Sequence, residues 1–425
     1  MYHKFTLYRI SSYIPKYSLS SLYFFIAIFS VFFLSSCERD DCSYSYTAYE
    51  PIFMSYDEFR SVPVELQSPR SLDKVGKIYF YNDYLFVNEI NKGIHVIDNS
   101  NPSLPIQVGF LNIIGNVDIA IAGNTLYADS YTDLLVININ TVTSPQLIKR
   151  IENTFSNQIF GNNGYADPNY GIVVDWKETE VVANYNCNDN NEYLEYDQHR
   201  EGLNSGIAGS MARFAITQNH LYTLNGDNLK SYSILNPVSP KMKSEIKLGW
   251  GIETLFPYGA NLFIGSQRGM HIYDLYEPSQ PKFISTYEHI TSCDPVVVSG
   301  NTAYVTLRDG TNCRNGVNEL HLIDISDLSH PSLINTEAMT NPYGLGVNSN
   351  YTNKMLFVCD GDAGLKVFDV TNPSNVEQIA SDESINGYDV IAHQNILMLI
   401  GKDGLYQYDY QSPQSLKLLS SIKTK

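Results

Sequence analysis

Short apolar runs separated by polar turns recur along the chain beyond residue 74, and one phrase returns seven times. An apolar strand carries a polar residue, mostly aspartate, near its end, and a turn marked by proline follows. It reads GIHVIDNSNPSLP at 93–105, GMHIYDLYEPSQP at 269–281, ELHLIDISDLSHP at 319–331 and GLKVFDVTNP at 364–373. Weaker copies lie at 133–145, 228–240 and 404–413. The anchor residues Asp98, Asn138, Ser233, Asp274, Asp324, Asp369 and Asp409 stand 40, 95, 41, 50, 45 and 40 residues apart. A period of about 40–45 residues in an all-β pattern is the signature of a propeller blade.

Each repeat divides into four strands. In 116–152 the first is the apolar run at 118–122, closed by the turn pair Gly123-Asn124. Strands at 125–129 and 134–139 follow, and the turn ending in Pro145 admits a fourth at 146–151. Proline suits that turn because it lacks the N–H that a ladder needs. The same division fits 75–113, 212–248, 253–287, 294–336, 343–380 and 388–423. Apolar strands on both sides of each turn imply sheets buried on both faces. The expected fold is all-β, a β-propeller of four-stranded antiparallel blades. Seven blades is the simplest count, and eight is the alternative if 154–208 holds a degenerate blade.

The phrase L-x-V-x-D-x-x-N-P, carried by Leu365, Val367, Asp369, Asn372 and Pro373, resembles the LVIVD repeat of bacterial surface propellers. The resemblance spans about 74–425, with Ser233 and Val142 as departures from the pattern. It implies a propeller and little about activity, because the repeat residues are architectural. The anchor aspartate is expected to cap its turn by accepting backbone N–H groups.

Residues 1–36 hold Lys4, Arg9 and Lys16, no acid, and an apolar run at 22–34. That run is too short for a membrane span and suits a signal peptide. Leu34-Ser35-Ser36-Cys37 resembles a bacterial lipobox, with Cys37 as the lipidated residue. The following Glu38-Arg39-Asp40-Asp41 resembles the acidic tether of Bacteroidetes surface lipoproteins. The expected organisation is therefore a signal peptide at 1–36, a lipidated tether at 37–73 and the propeller at 74–425. The expected location is the outer membrane, at the cell surface, held by the lipid on Cys37. The net charge of −17 becomes about −20 once the three basic residues of the leader are removed, which argues against nucleic acid as a partner.

Two stretches break the period, where functional decoration concentrates. The long interval leaves about 154–208 outside the repeats. There 172–176 and 181–185, flanking Lys-Glu-Thr-Glu, read as an inserted hairpin, followed by a polar loop. A shorter insertion, 309–318, lengthens one loop of the fifth repeat. The N-terminal Val62-Pro63-Val64-Glu65-Leu66 reads either as a strand added at ring closure or as part of the tether.

Cysteines 37, 42, 187, 293, 313 and 359 suit an oxidising compartment. Cys293 and Cys313 flank the first two strands of one repeat, so a disulfide between them is feasible, with Cys359 as an alternative partner. The chain contains no C-x-x-C pair, H-E-x-x-H, G-x-S-x-G, Walker loop or dinucleotide fingerprint. Asp360-Gly361-Asp362-Ala363-Gly364 lacks the ligands of a calcium loop and reads as a turn. No metal and no cofactor are therefore expected.

Chemistry is best sought where strand ends converge at one mouth of the channel. First-strand starts place Lys77, Asp118, Arg213, Glu253, Asp294 and Asp389 there, with Glu253 and Asp294 one residue out of register. Second-strand ends add Glu89, Asp129, Gln267, Arg308, Asp309, Asp360 and Lys402. The favoured function is a non-catalytic scaffold that binds protein or glycan. A carbohydrate-active enzyme using mouth acids is the second reading, and a structural envelope component the third.

Overall fold

The computed structural model describes residues 41–155, 165–186, 210, 212–289, 295–309, 317–348 and 353–425. Among them, seven antiparallel sheets of consecutive strands form blades at 75–112, 119–151, 214–247, 252–288, 296–338, 345–382 and 387–423. Six have four strands, and blade 1 gains a fifth, Leu66–Gln67, outside its fourth. The first strand of each blade is innermost and lies against the first strand of the next. That of blade 7 lies against that of blade 1, so the ring closes on seven. The all-β propeller of four-stranded blades is the fold, and the described residues of 154–208 add no eighth blade.

The apolar runs of the repeat explain this packing. Third strands such as Gly93–Asp98 and Asp133–Asn138 are buried on both faces. Each pair of neighbouring blades encloses its own apolar cluster, seven in all. Ile94, Val96 and Ile119 belong to the one between blades 1 and 2, and Ile97, Met398 and Ile400 to the one between blades 7 and 1. Fourth strands face solvent, and their burial pattern is correspondingly polar or mixed.

The repeated phrase does three things at once. First, its anchor is an Asx turn, in which the side-chain oxygen accepts the N–H two residues on. The distances are 2.9 Å at Asp98, 2.8 Å at Asn138, 2.9 Å at Asp274, 2.8 Å at Asp324, 2.9 Å at Asp369 and 2.8 Å at Asp409.

Second, the proline turn is grasped by the preceding blade. The Tyr127 hydroxyl donates to Pro237 O and the Tyr222 hydroxyl to Pro278 O, both at 2.8 Å. Across the ring closure Ser420 Oγ donates to Pro102 O at 2.6 Å.

Third, the glycine that opens four copies stands where a side chain has no room. At Gly93, Gly269, Gly364 and Gly404 φ is +145°, +155°, +85° and +129°, and a Cβ would come within 2.0–2.3 Å of a backbone oxygen of the fourth strand. Gly404→Ala is therefore expected to cost at least about 2 kcal/mol, because both the conformation and the approach of Ile422 O must change. Urea denaturation monitored by tyrosine fluorescence measures it. A loss within about 0.5 kcal/mol of wild type, the range of an ordinary surface substitution, contradicts this account.

All seven fourth strands share one irregularity that the repeat did not reveal. Near its start each carries a β-bulge against the third strand, beside Ile97, Leu147, Tyr232, Tyr273, Ile323, Phe368 and Tyr408.

The segments outside the repeat fold differently from expectation. Lys177-Glu178-Thr179-Glu180 is no turn: Gly171–Asn186 is one continuous strand, in a three-stranded sheet with Asp41–Met54 and Ala166–Asp167. The tetrapeptide holds no Gly, Pro, Asn or Asp to reverse the chain. Among the described residues, 41–50 and 178–186 belong to one compact unit and the rest of the described chain to another.

A short helix, α1 (Tyr56–Ser61), begins at a Ser55 cap whose side chain accepts Glu58 N–H. It buries Phe59 against Ala166 and Ile172. At the ring closure Leu72 bridges Thr424 in parallel fashion, and Lys425 N donates to Leu72 O at 3.0 Å. Val62–Leu66 is thus not a closing strand, and only Leu66 with Gln67 pairs, at the outer edge of blade 1. No helix among the described residues is long and apolar enough to cross a membrane.

Candidate binding site at the channel

Six of the thirteen mouth residues come together on the inner strands of blades 1 to 4. Lys77, in the first strand of blade 1 (Val75–Tyr81), is 4% exposed and pairs with Asp118 at the entrance to blade 2. Asp118 also accepts the N–H groups of Arg213 and, at 3.1 Å, of Phe214, where the chain enters blade 3. Asp129, in the second strand of blade 2 (Thr125–Ser130), accepts Val117 N at 2.7 Å, Asp118 N at 3.0 Å and Asn116 Nδ2 at 2.8 Å. The charge of Arg213 is felt by Asp118, Asp129 and Glu253, and Gln267 Nε2 donates to Glu253 at 3.1 Å. The result is a belt of alternating charges across four blades.

Burial governs the electrostatics of the belt. It lowers the Lys77 ammonium, against which the Asp118 carboxylate pulls the other way. It pulls the Arg213 guanidinium down to about 10, with the same three acids opposing. It raises Asp129 to about 6, despite the N–H groups of Asp118 and Val117 and with help from the Asp118 charge.

Asp389, in the first strand of blade 7 (Gly387–His393), is fully buried. Its Oδ1 accepts Ser210 N at 3.2 Å, and its Oδ2 has no hydrogen-bond partner among the described residues. Burial pushes its carboxyl well above the usual range. Ser210 Oγ accepts Leu345 N of blade 6 at 3.0 Å, and Ala212 O accepts Leu255 N of blade 4 at 2.7 Å. The chain leading into blade 3 is thereby pinned to blades 2, 4, 6 and 7.

The remaining residues are engaged locally. Glu89 is held by His95 Nε2 at 2.8 Å, Lys92 Nζ at 2.8 Å and Arg70 Nη2 at 3.1 Å. Burial alone would raise its carboxyl, but these three bases hold it down to about 2. Its folded value thus lies below its ordinary 4.5, so its contribution is present above about pH 4.5 and lost as pH falls toward 2. Glu89→Gln should flatten the acid limb of a stability–pH curve by about 3 kcal/mol, and an unchanged limb refutes the assignment.

Asp360 accepts Thr340 N and Asn341 N at 3.0 and 2.8 Å and pairs with Lys366 at 2.5 Å. The Arg308 guanidinium lies 4.3 Å from the Tyr343 ring centroid. Asp309 N donates to Asn318 Oδ1 at 3.0 Å, and Lys402 is exposed beside blade 7.

Asp294, Cys37, Cys293 and Cys313 lie outside the described residues, and with them the lipidation site and the suggested disulfide. Cys359 is a buried free thiol whose pKa is pushed well up by burial and by the charges of Asp389 and Asp360. Among the described residues, no group of three or more His, Cys, Asp or Glu could hold a metal ion.

Sequence reasoning did not find Ser210, Tyr79 or His393. Ser210 lies in an irregular stretch without pattern. Tyr79 and His393 sit mid-strand or at a strand end, where reading strand starts overlooks them.

These observations define a seven-bladed β-propeller with a charged belt on its inner strands. Three segments, 74–112, 292–337 and 347–381, match the LVIVD repeat and fall on blades 1, 5 and 6. No curated protein matches the sequence.

Solved structures with similar folds include a Bacteroides fragilis protein named as a candidate 6-phosphogluconolactonase. It is 10% identical over 86% of this chain and 97% of that one, with a TM-score of 0.53. The computationally designed Ika8 protein is 12% identical over 85% and 91%, TM-score 0.50. Kluyveromyces lactis Hsv2 is 12% identical over 82% and 97%, TM-score 0.50. At such identities they establish the fold alone.

Proposed function

We propose that this chain is a non-catalytic outer-membrane lipoprotein, tethered through Cys37 at the cell surface, whose propeller binds a protein or glycan partner. The observation that carries the non-catalytic part is how the mouth acids are occupied. Asp118 is committed to buried Lys77 and two entering N–H groups, Glu89 to three bases, and Asp360 to Lys366 and two N–H groups. Asp118 ties blades 1 to 3 together while Glu89 and Asp360 are held locally, and carboxylates so committed are poor general acids or bases. The lipobox and the acidic residues behind it support the location.

One observation favours the carbohydrate-active reading. Burial raises Asp129 to about 6, and a carboxyl raised in this way is what a general acid needs near neutral pH. Its Oδ1, however, already receives three donors.

The test is a glycan array probed with the purified protein, together with co-isolation of outer-membrane partners and hydrolysis assays on every glycan bound. Binding without turnover is expected. Turnover that is lost in Asp129→Asn would replace this reading with the enzymatic one. For the location, Cys37→Ala should abolish labelling by radioactive palmitate, and labelling that persists would reject the lipid anchor.

A further inference from the structure

A cavity of about 400 Å³ runs beside the later residues of the first strands of blades 1 and 7. Lys77, Asp118 and Ala212 bound it on the side of the strand starts. Tyr79, Phe80 and His393 line it toward the strand ends, where the Phe80 and His393 rings lie 4.9 Å apart with a 41° tilt. Its volume is that of a small-molecule site.

The chemistry of the walls selects the occupant. First strands are the innermost members of their sheets, so one edge of each carries ladder N–H and C=O groups without a strand partner. The Tyr79 hydroxyl already serves one such edge, lying 3.3 Å from Ile121 N and 3.5 Å from Ile121 O. An apolar occupant would strip water from the other edge groups and return no hydrogen bond. An anion would meet an ammonium already neutralised by Asp118, in a chain of net charge −17. A cation would meet Lys77, with Arg213 close behind it.

A neutral polyhydroxylated ring satisfies all these conditions. Its hydroxyls bond to the strand edges, and its apolar face rests on Phe80 and His393. We infer that this cavity is a binding site for a neutral mono- or disaccharide. The inference rests on the reading of the propeller as a binding scaffold and names the ligand class and the cavity that admits it.

The test uses the full mature chain and titrates glucose, galactose, mannose, N-acetylglucosamine, cellobiose, lactose and chitobiose by calorimetry and saturation-transfer NMR. At least one of these sugars is expected to bind. Ala212→Trp, which fills the cavity from the side of the strand starts, should abolish that binding. His393→Ala should weaken it about tenfold, and thermal denaturation checks that both variants fold. Should Ala212→Trp fail to fold, His393→Ala decides alone.

Failure of the whole panel overturns the inference. So does equal affinity in the folded variants, or octanoate binding that displaces the sugar's NMR signature at His393. Protease treatment of whole cells reads surface display separately. Lost display with sugar binding intact would overturn the location and leave the cavity assignment standing.

Discussion

Asp118→Ala should destabilise the propeller by about 3–5 kcal/mol, the usual cost of leaving one member of a buried ion pair without its partner. Lys77 is 4% exposed and its ammonium finds its compensating charge in Asp118, so alanine strands that charge in the channel wall. The same carboxylate accepts the N–H groups of Ile119, Arg213 and Phe214, which lose their acceptor as well.

Two further variants separate the contributions. Asp118→Asn keeps an oxygen for the backbone and removes the charge, so it should cost less than alanine. Adding Lys77→Met to Asp118→Asn should recover most of the loss, because the stranded ammonium is gone. Urea midpoints for the four proteins measure this. An alanine variant within about 1 kcal/mol of wild type would mean that water reaches Lys77 and that the belt is not a buried network.

The second large effect is expected at Asp133, at the start of the third strand of blade 2. Its fully buried carboxylate accepts Arg60 Nε at 2.9 Å, Arg60 Nη2 at 3.0 Å, Arg150 Nη1 at 3.2 Å and Asn153 N at 3.0 Å. Asp133→Ala therefore leaves two guanidiniums and a backbone donor unanswered, at a cost of about 3 kcal/mol. Arg60 keeps Glu152 at 2.9 Å as a partial substitute, which places the expected cost at the lower end.

Because Arg60 belongs to α1, the loss has a local signature. Amide exchange across Tyr56–Ser61 should accelerate before the blades open. Equal protection of that helix in both proteins would assign its docking to Phe59 alone.

How far the sequence spoke depended on whether a feature repeats. The anchor turns and the doubly buried strands were legible because seven blades impose one geometry on seven segments. The intervals between Asp98 and Asp409 left seven and eight blades open, and the contact of the first strands of blades 7 and 1 decides for seven. The charged belt was legible in part, since strand ends must converge on an axis, and four first-strand starts with two second-strand ends do so.

Single events were not legible. Gly171–Asn186 pairs with Asp41–Met54, a partner far away in sequence, so no local pattern shows that Lys177–Glu180 continues a strand. Glu89 and Asp360 share the register of mouth residues, yet Lys92 with His95 and Lys366, close by in sequence, hold them. Asp133 occupies the place where four other copies carry glycine, and its partner Arg60 lies outside the repeat altogether. Register predicts position, and only packing reveals which neighbour answers a charge.

The bulges of the fourth strands bear on how these molecules treat one another. An outermost strand offers unpaired N–H and C=O groups to any similar strand it meets, and flat edges of that kind seed fibres and domain exchange. In all seven blades the bulge twists the start of that edge out of register with a straight partner, and in blade 1 Leu66–Gln67 covers part of it. Copies crowded side by side are therefore expected to pair less readily along the starts of these rims than straight-edged strands would.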